Sequence, residues 1–419
     1  QPRLEEPKVR VVAFYLPQYH PIPENDLWWG KGFTEWTNVR KASPLFPGHN
    51  QPRIPTELGY YDLRDLNVIK RQIELAREHG INAFCFYHYW FKGKLLLEKP
   101  IETFLMSSDL DFSFCLCWAN EDWTRAWDGH SGEILMKQEY SQEDDLVHIK
   151  YLIQFFKDRR YLKIEGKPLL LVYRASRLPD PVKTTRVWRQ EAKKAGLGDL
   201  FLCTVESFPE EHKDPRPFGF DASVEFQPDW INLGSPLPAE NYNGIRVYDY
   251  RSVVAEMLQK NPPGYIRFPC VFPQWDNTPR KKESGLAIIN SNPETYGYWL
   301  AETVRRVLKR SPENKRLVFV NAWNEWGEGN MLEPDSVWGK GYLEVTRKAV
   351  ANYDMFDPLR EELRHVEKLS ESGRLEEAEE LTLSLIKYHP YHAMLLNELS
   401  GIYYRKGDKE KTAYYLEKA

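Results

Sequence analysis

Glu325 and Glu328 stand three residues apart in the segment Asn321-Ala-Trp-Asn-Glu-Trp-Gly-Glu-Gly329, bracketed by Trp323, Trp326, Gly327 and Gly329. At that spacing, in a loop or nascent helix, two side chains can point to one side as neighbours. Carboxyls pressed together in an aromatic pocket have their proton affinities driven apart, so one can donate while the other accepts. That is the division of labour of general acid–base catalysis. The competing reading is a capped helix start whose acidic first turn is favoured by the helix dipole. Glu121 and Asp122 form a rival pair, while Glu35, Glu206 and Glu225 are solitary carboxylates that would bind a ligand or brace the scaffold. The histidines, among them His20, His49, His88 and His130, are scattered, with no His-x-x-x-His and no paired-cysteine spacing, so no metal or other cofactor is expected. There is no Gly-x-Ser-x-Gly elbow and no Gly-rich phosphate cradle, which removes esterase and nucleotide-hydrolase chemistry.

These residues need elements to hold them. Eight nearly continuous apolar runs read as parallel strands covered on both faces: 11–16, 82–87, 112–118, 169–173, 201–205, 222–226, 268–272 and 317–322. Helical patterns fall between them at 66–79, 143–157, 184–195, 252–259 and 295–309, and another follows at 341–353. Eight strands, with helical patterns falling between them, predict a (β/α)8 barrel of the TIM type rather than an open doubly wound sheet. In such a barrel the reacting groups stand at the carboxyl ends of the strands.

Those ends share one chemistry. The first carries Tyr15, Gln18 and His20, then a long loop with Trp28, Trp29, Glu35, Trp36 and Asn38. The second carries His88, Tyr89 and Trp90; the third, Trp118, Asn120, Glu121, Trp123 and Arg125; the fourth, Tyr173. Glu206, Glu225 and Trp275 follow the next three, and Trp323, Asn324 and Trp326 surround the acidic pair after the last. Flat aromatic faces cover the C–H surface of a sugar ring while amides and carboxylates take its hydroxyls, so this rim is the inventory for a carbohydrate. His20 and His88 are read either as partners of sugar hydroxyls or as structural. Any single Trp can be packing, but packing alone would accept Leu or Val at successive strand ends.

Composition narrows the partners. Lys and Arg total 57 against 61 Asp and Glu, and a net charge of −4 gives no basic footprint for nucleic acid. No apolar run reaches the 18 residues of a membrane span, and the amino end carries no hydrophobic signal segment. Cys85, Cys115, Cys117, Cys203 and Cys270 are odd in number and lie in or beside strand-like runs, which predicts free thiols and a cytoplasmic, reducing compartment. Aromatic residues make up 14% of the chain, a surplus of flat surface that a core alone seldom needs.

Near residue 356 the composition changes: Trp disappears and Leu, Glu, Lys and Tyr dominate. Gly373-Arg-Leu-Glu-Glu-Ala378 and Gly407-Asp-Lys-Glu-Lys-Thr412 lie 34 residues apart, with Pro390 between them, which resembles the tetratricopeptide spacing. The expected division is a barrel over 9–355 and a helical-repeat tail over 356–419. The tail is read as truncated, with further units downstream and a surface for a protein partner.

Five long motifs carry a family resemblance: Tyr15-Leu-Pro-Gln-Tyr-His-Pro-Ile-Pro-Glu-Asn25, Trp28-Trp-Gly-Lys-Gly-Phe-Thr-Glu-Trp-Thr-Asn38, Phe86-Tyr-His-Tyr-Trp-Phe91, Cys117-Trp-Ala-Asn-Glu-Asp-Trp-Thr-Arg125 and the Asn321–Gly329 segment. Together they resemble the WbsX-like proteins, relatives of glycoside hydrolase family 99. The resemblance implies a (β/α)8 barrel and carbohydrate chemistry. The family 99 motif reads Asn-Glu-Trp-His-Glu-Gly, so its two glutamates fall on Glu325 and Glu328, and its histidine on Gly327. By resemblance, Glu325 would deprotonate the 2-hydroxyl of an α-mannose- or α-rhamnose-configured sugar, and Glu328 would protonate the leaving oxygen. The expected activity is thus a retaining glycoside hydrolase working through a 1,2-anhydro sugar on a bacterial poly- or oligosaccharide. The alternatives are a glycosyltransferase of surface-polysaccharide synthesis and an inactive carbohydrate-binding scaffold. For the transferase, Asp109 and Asp111 form an Asp-x-Asp, but they precede the third strand and read as surface loop.

Overall fold

The computed structural model describes residues 7–125, 130–353, 359–390 and 392–419. Eight barrel strands appear where the apolar runs predict them: β1 Arg10–Tyr15, β2 Ala83–Phe91, β3 Ser113–Trp118, β4 Lys167–Val172, β5 Phe201–Glu206, β6 Ala222–Glu225, β7 in two pieces (Arg267–Phe268 and Cys270–Val271), and β8 Leu317–Val320. Neighbours pair in parallel from β1 through β6, β6 pairs with the first piece of β7, the second piece with β8, and β8 with β1. Pro269, which has no N–H to donate, divides β7; its carbonyl still accepts from Phe319 N at 2.8 Å. The ring is closed.

Helices cover the outside. Leu66–Glu78, Lys99–Met106, Gln142–Phe156, Pro181–Lys194, Tyr250–Gln259, Pro293–Arg310 and Gly341–Ala351 follow β1, β2, β3, β4, β6, β7 and β8 respectively. Five begin on an Asp, Ser or Asn side chain that accepts a backbone N–H of the first turn: Asp65, Ser141, Asp180, Asp249 and Asn292. Between β5 and β6 there are instead short 3-10 turns, Pro209–Glu211 and Arg216–Phe218.

The strands alternate faces with period two. Inside the barrel, Phe14 meets Tyr87, Phe226 and Phe319 with ring centroids 5.3–5.7 Å apart. On the outer face Tyr15 packs on Phe84 and Phe86, beneath the helices. All five cysteines are buried and free, as expected.

An element unpredicted by the sequence stands beside the barrel mouth. Arg246–Asp249 and Leu286–Ile289 pair in parallel, and Trp275–Asp276 joins antiparallel, forming a small side sheet. Its outer face is sealed by Phe46, Ile245, Val247 and Ala287.

Beyond the barrel, the described residues of the tail form four helices: Arg360–Glu371, Leu375–Ile386, Ala393–Lys406 and Lys409–Lys418. Val366, Leu369, Ala378 and Ile402 make one of its small cores. Gly373 and Gly407, the two repeat glycines, both take left-handed φ values, 75° and 81°, which let the chain reverse between helices. The tail meets the barrel where Tyr298 packs against His389 and His392 and where Arg251 covers the Tyr388 ring. The division expected between residues 355 and 356 falls outside the described residues.

Candidate active site

Strand alternation sorts the strand-end residues into two sets. Tyr15, His88, Trp90 and Trp118 point outward and belong to the barrel–helix layer. Tyr15 Oη donates to Gln72 at 2.6 Å. His88 Nε2 lies 2.8 Å from His148 Nε2, and burial pushes both imidazoles down, His88 to about 3. Trp90 stacks on His148 and donates to Asp144, and Trp118 packs edge-on against His148 and Trp188. None of these four lines the cleft described below; each packs in the barrel–helix layer instead, which for His88 is the structural one of its two readings.

Five further strand-end residues are likewise absent from the cleft lining. Glu206 turns outward to accept from Ser223, Tyr265 and Arg267. Glu225 pairs with Lys260 behind the strand. Asn120 ties β3 to β4 by exchanging hydrogen bonds with the Arg174 backbone, at 2.8 and 2.9 Å. His20 is buried with Nδ1 against Pro21 O and is not among the cleft-lining residues, and Trp323 packs on Phe84 in the outer layer. The side chain of His130 lies outside the described residues.

The inward set builds a cleft of about 590 Å³ at the carboxyl ends of the strands. Gln18, Tyr89, Glu121, Trp123, Tyr173, Trp275, Glu325 and Glu328, all singled out in the sequence, line it together with Tyr87, Trp230, Arg246, Tyr248, Asn277, Arg280 and Lys281. Trp123 stands edge-on to Tyr89 at 5.3 Å and to Trp28 at 6.0 Å, extending the aromatic wall to the rim. Arg125 fastens that rim by donating to Trp28 O and Glu133. Trp29 and Asn38 instead line a smaller hollow of about 270 Å³ with Phe33 and Thr37. Glu121 is held by Arg174 at 2.8 Å, and burial raises its carboxyl.

Glu325 and Glu328 occupy a tight reversal rather than a capped α-helix. Asn324–Glu325 pairs antiparallel with Asn330–Met331 around a 3-10 turn at Trp326–Glu328. Three fixtures hold that turn from below. Asn324 bonds Leu16 N and O at 2.7 and 3.0 Å, and Tyr19 Oη bridges Asn324 O and Trp326 N. Trp326 donates to Glu333 at 2.7 Å, which also accepts from Tyr61 and Gln72. Trp36 fills the remaining space, packed on Tyr19 and Trp326.

Arg280 joins the acids. Its Nη2 donates to Glu325 Oε2 at 3.0 Å, Nη1 to Glu328 Oε1 at 2.8 Å, and Nε to Glu35 Oε1 at 2.8 Å. Glu35, read in the sequence as binding a ligand or bracing the scaffold, is fully buried behind the guanidinium and is absent from the cleft lining. Burial pushes Glu325 up to about 8, reinforced by the charge of Glu328 and opposed by Arg280. Burial also raises Glu328, against the same pull from Arg280. Gly327 is explained by this cluster: a Cβ there would fall 1.9 Å from Glu35 Oε1 and 2.8 Å from Arg280 Nε.

Sequence reading missed Arg280 and Glu333. Arg280 sits four residues beyond Asp276, in the loop after β7, so a longer search window past that strand end would have found it. Glu333 carries no spacing signal, because its three partners come from Tyr61, Gln72 and Trp326. Glu333 is buried, and that burial raises its carboxyl to about 7.

Comparison with known proteins agrees with this architecture. The family model described as "Glycosyltransferase WbsX" matches residues 11–346. Two proteins described as "Uncharacterized protein WxcX", from two strains of Xanthomonas campestris pv. campestris, are each 46% identical over 348 residues, 81% of this chain and 49% of theirs. The chain thus spans about half the length of these relatives. Among solved structures, the GH99 endo-α-mannosidase from Bacteroides thetaiotaomicron aligns with a TM-score of 0.52 at 14% identity, covering 83% of this chain and 98% of that one. A chain described as "Glycoside hydrolase-like protein" aligns with a TM-score of 0.54 at 15% identity, covering 84% and 96%. At such identity the likeness is one of fold.

Proposed function

The chain belongs to the WbsX family, and from that premise we propose that it is a retaining glycoside hydrolase for α-mannose- or α-rhamnose-configured glycans of bacterial origin. The observation that carries the reading is the pairing of Glu325 and Glu328 on one guanidinium at the wall of an aromatic-lined cleft. Both acids come from a single loop, so neither needs to reach the anomeric carbon from the opposite face of the ring. That suits a mechanism in which the sugar supplies its own nucleophile, outside the usual scheme of two facing carboxylates.

In this mechanism Glu325 takes the proton of the 2-hydroxyl as O2 attacks C1, and Glu328 donates its proton to the departing oxygen. A 1,2-anhydro sugar results. Glu328 then takes a proton from water as the water oxygen opens the anhydro ring at C1, and Glu325 returns its proton to O2. Two inversions at C1 leave the anomeric configuration unchanged. The aromatic wall from Trp28 through Trp123 and Tyr89 would cover sugar faces along the cleft.

The description of the family model favours a second reading, transfer from a nucleotide sugar. The sequence's Asp-x-Asp does not support it, because Asp109 and Asp111 are exposed at the opposite end of β3 and pair with Lys70 and Arg159. An NMR assay of product anomers on aryl α-mannosides, aryl α-rhamnosides and bacterial surface glycans separates the readings. Retention at first formation of product is expected. Inversion would overturn the anhydro route, and turnover confined to nucleotide-sugar donors would favour transfer.

A further inference from the structure

We propose that Arg280 is a positioning residue for the acid pair, clamped from behind by Glu35 and given room by Gly327, so that one guanidinium fixes where both acids stand and how they share their proton. The inference rests on the reading of Glu325 and Glu328 as the reacting acids, and it assigns the residue that makes them a unit.

The geometry is specific to arginine. All three guanidinium nitrogens are engaged, each on a different carboxylate at 2.8–3.0 Å, from the loop after β1, the turn after β8 and its far end. A planar fork can hold two acids side by side at fixed angles, whereas an ammonium is a point charge without that geometry. Each acid has one oxygen bonded to Arg280, which leaves its other oxygen to address the sugar's O2 or the leaving oxygen.

Glu35 supplies the depth. It is fully buried, its Oε1 accepts from Arg280 Nε, and it lies directly over the backbone of residue 327. A Cβ at 327 would overlap its Oε1 at 1.9 Å, so any side chain there has to displace Glu35, and with it the rear anchor of the fork. Glycine at 327 and glutamate at 35 are therefore two halves of one device, though nearly 300 residues separate them. The charges agree: Arg280 draws both acids down while Glu35 and burial push both up, so the proton shared by the pair answers to residues outside it.

The titrations need no substrate, and turnover is measured beside them. In the full chain labelled with 13C at glutamate carboxyls, the two resonances are identified by their loss in Glu325→Gln and Glu328→Gln, then followed against pH in Arg280→Lys, Glu35→Gln and Gly327→Ala. Arg280→Lys keeps the charge and loses the fork. At least one acid is then expected to titrate about one pH unit higher, and kcat on a cleaved aryl glycoside to fall roughly tenfold or more with little change in KM. Glu35→Gln keeps the shape and removes the charge, so both acids should titrate lower. Gly327→Ala should move both resonances without touching either acid. Unchanged titrations in folded Arg280→Lys and Glu35→Gln proteins would overturn the inference. A wild type that cleaves no glycoside while these titrations move as expected would overturn the hydrolase reading and leave the clamp standing.

Discussion

Glu325 illustrates how a reacting group burdens its own fold. Its carboxyl is raised from the ordinary 4.5 to about 8 because burial and Glu328 disfavour the charged form. Between those pH values the folded chain holds a proton that the unfolded chain releases. Folding is therefore aided at low pH, and this contribution is lost as pH rises, with a limiting slope of about 1.4 kcal/mol per pH unit. Glutamine at this position cannot titrate. Glu325→Gln is thus expected to abolish turnover and yet to melt above the parent at pH 8, the gap closing as the pH falls toward 4.5. Paired thermal melts across that window check it. Parallel melting curves would mean that Arg280 neutralises Glu325 completely.

A strand turns one sequence motif into two unlike sets of residues. In Phe86-Tyr-His-Tyr-Trp-Phe91, Tyr87 and Tyr89 face the cleft, while His88 and Trp90 face the helix Gln142–Phe156. The motif was legible as a strand end rich in sugar-compatible groups, but its composition did not reveal which side chain points where. Strand positions were read correctly because runs buried on both faces leave a continuous apolar signal. The side sheet was missed because its strands are two to four residues long and gain their partners through pairing far apart in sequence. Arg280 and Glu333 escaped for a related reason, since their roles come from residues assembled by the barrel. The two sets should respond oppositely to truncation. Trp123→Ala, on the cleft wall, is expected to raise KM or weaken oligosaccharide binding at little cost in stability. Trp118→Ala, fully buried between His148 and Trp188, is expected to cost about 3–5 kcal/mol with binding retained in the folded fraction. Denaturant melts and titration calorimetry on both variants would check this, and comparable losses of stability in the two would contradict the assignment of faces.

On the scale of the molecule, the chain divides its labour between a closed barrel that holds the acids and a helical tail whose described residues are absent from the cleft lining. The tail's attachment is aromatic and local: Tyr298, only 1% exposed, is covered by His389 and His392, and Arg251 lies 4.4 Å from the Tyr388 ring centroid. Both barrel residues lie on outer helices, and the closure of the strand ring does not pass through the tail. Ending the chain after residue 353 should therefore leave the barrel folded and its kcat/KM within about a factor of two, since rigid strands rather than the tail position the site. It should also expose Tyr298 and lower stability by roughly 1–3 kcal/mol, and Tyr298→Ala in the full chain should reproduce much of that loss. If the shortened chain keeps its thermal transition but loses turnover, the tail shapes the cleft after all. The two halves would then have to be treated as one functional body.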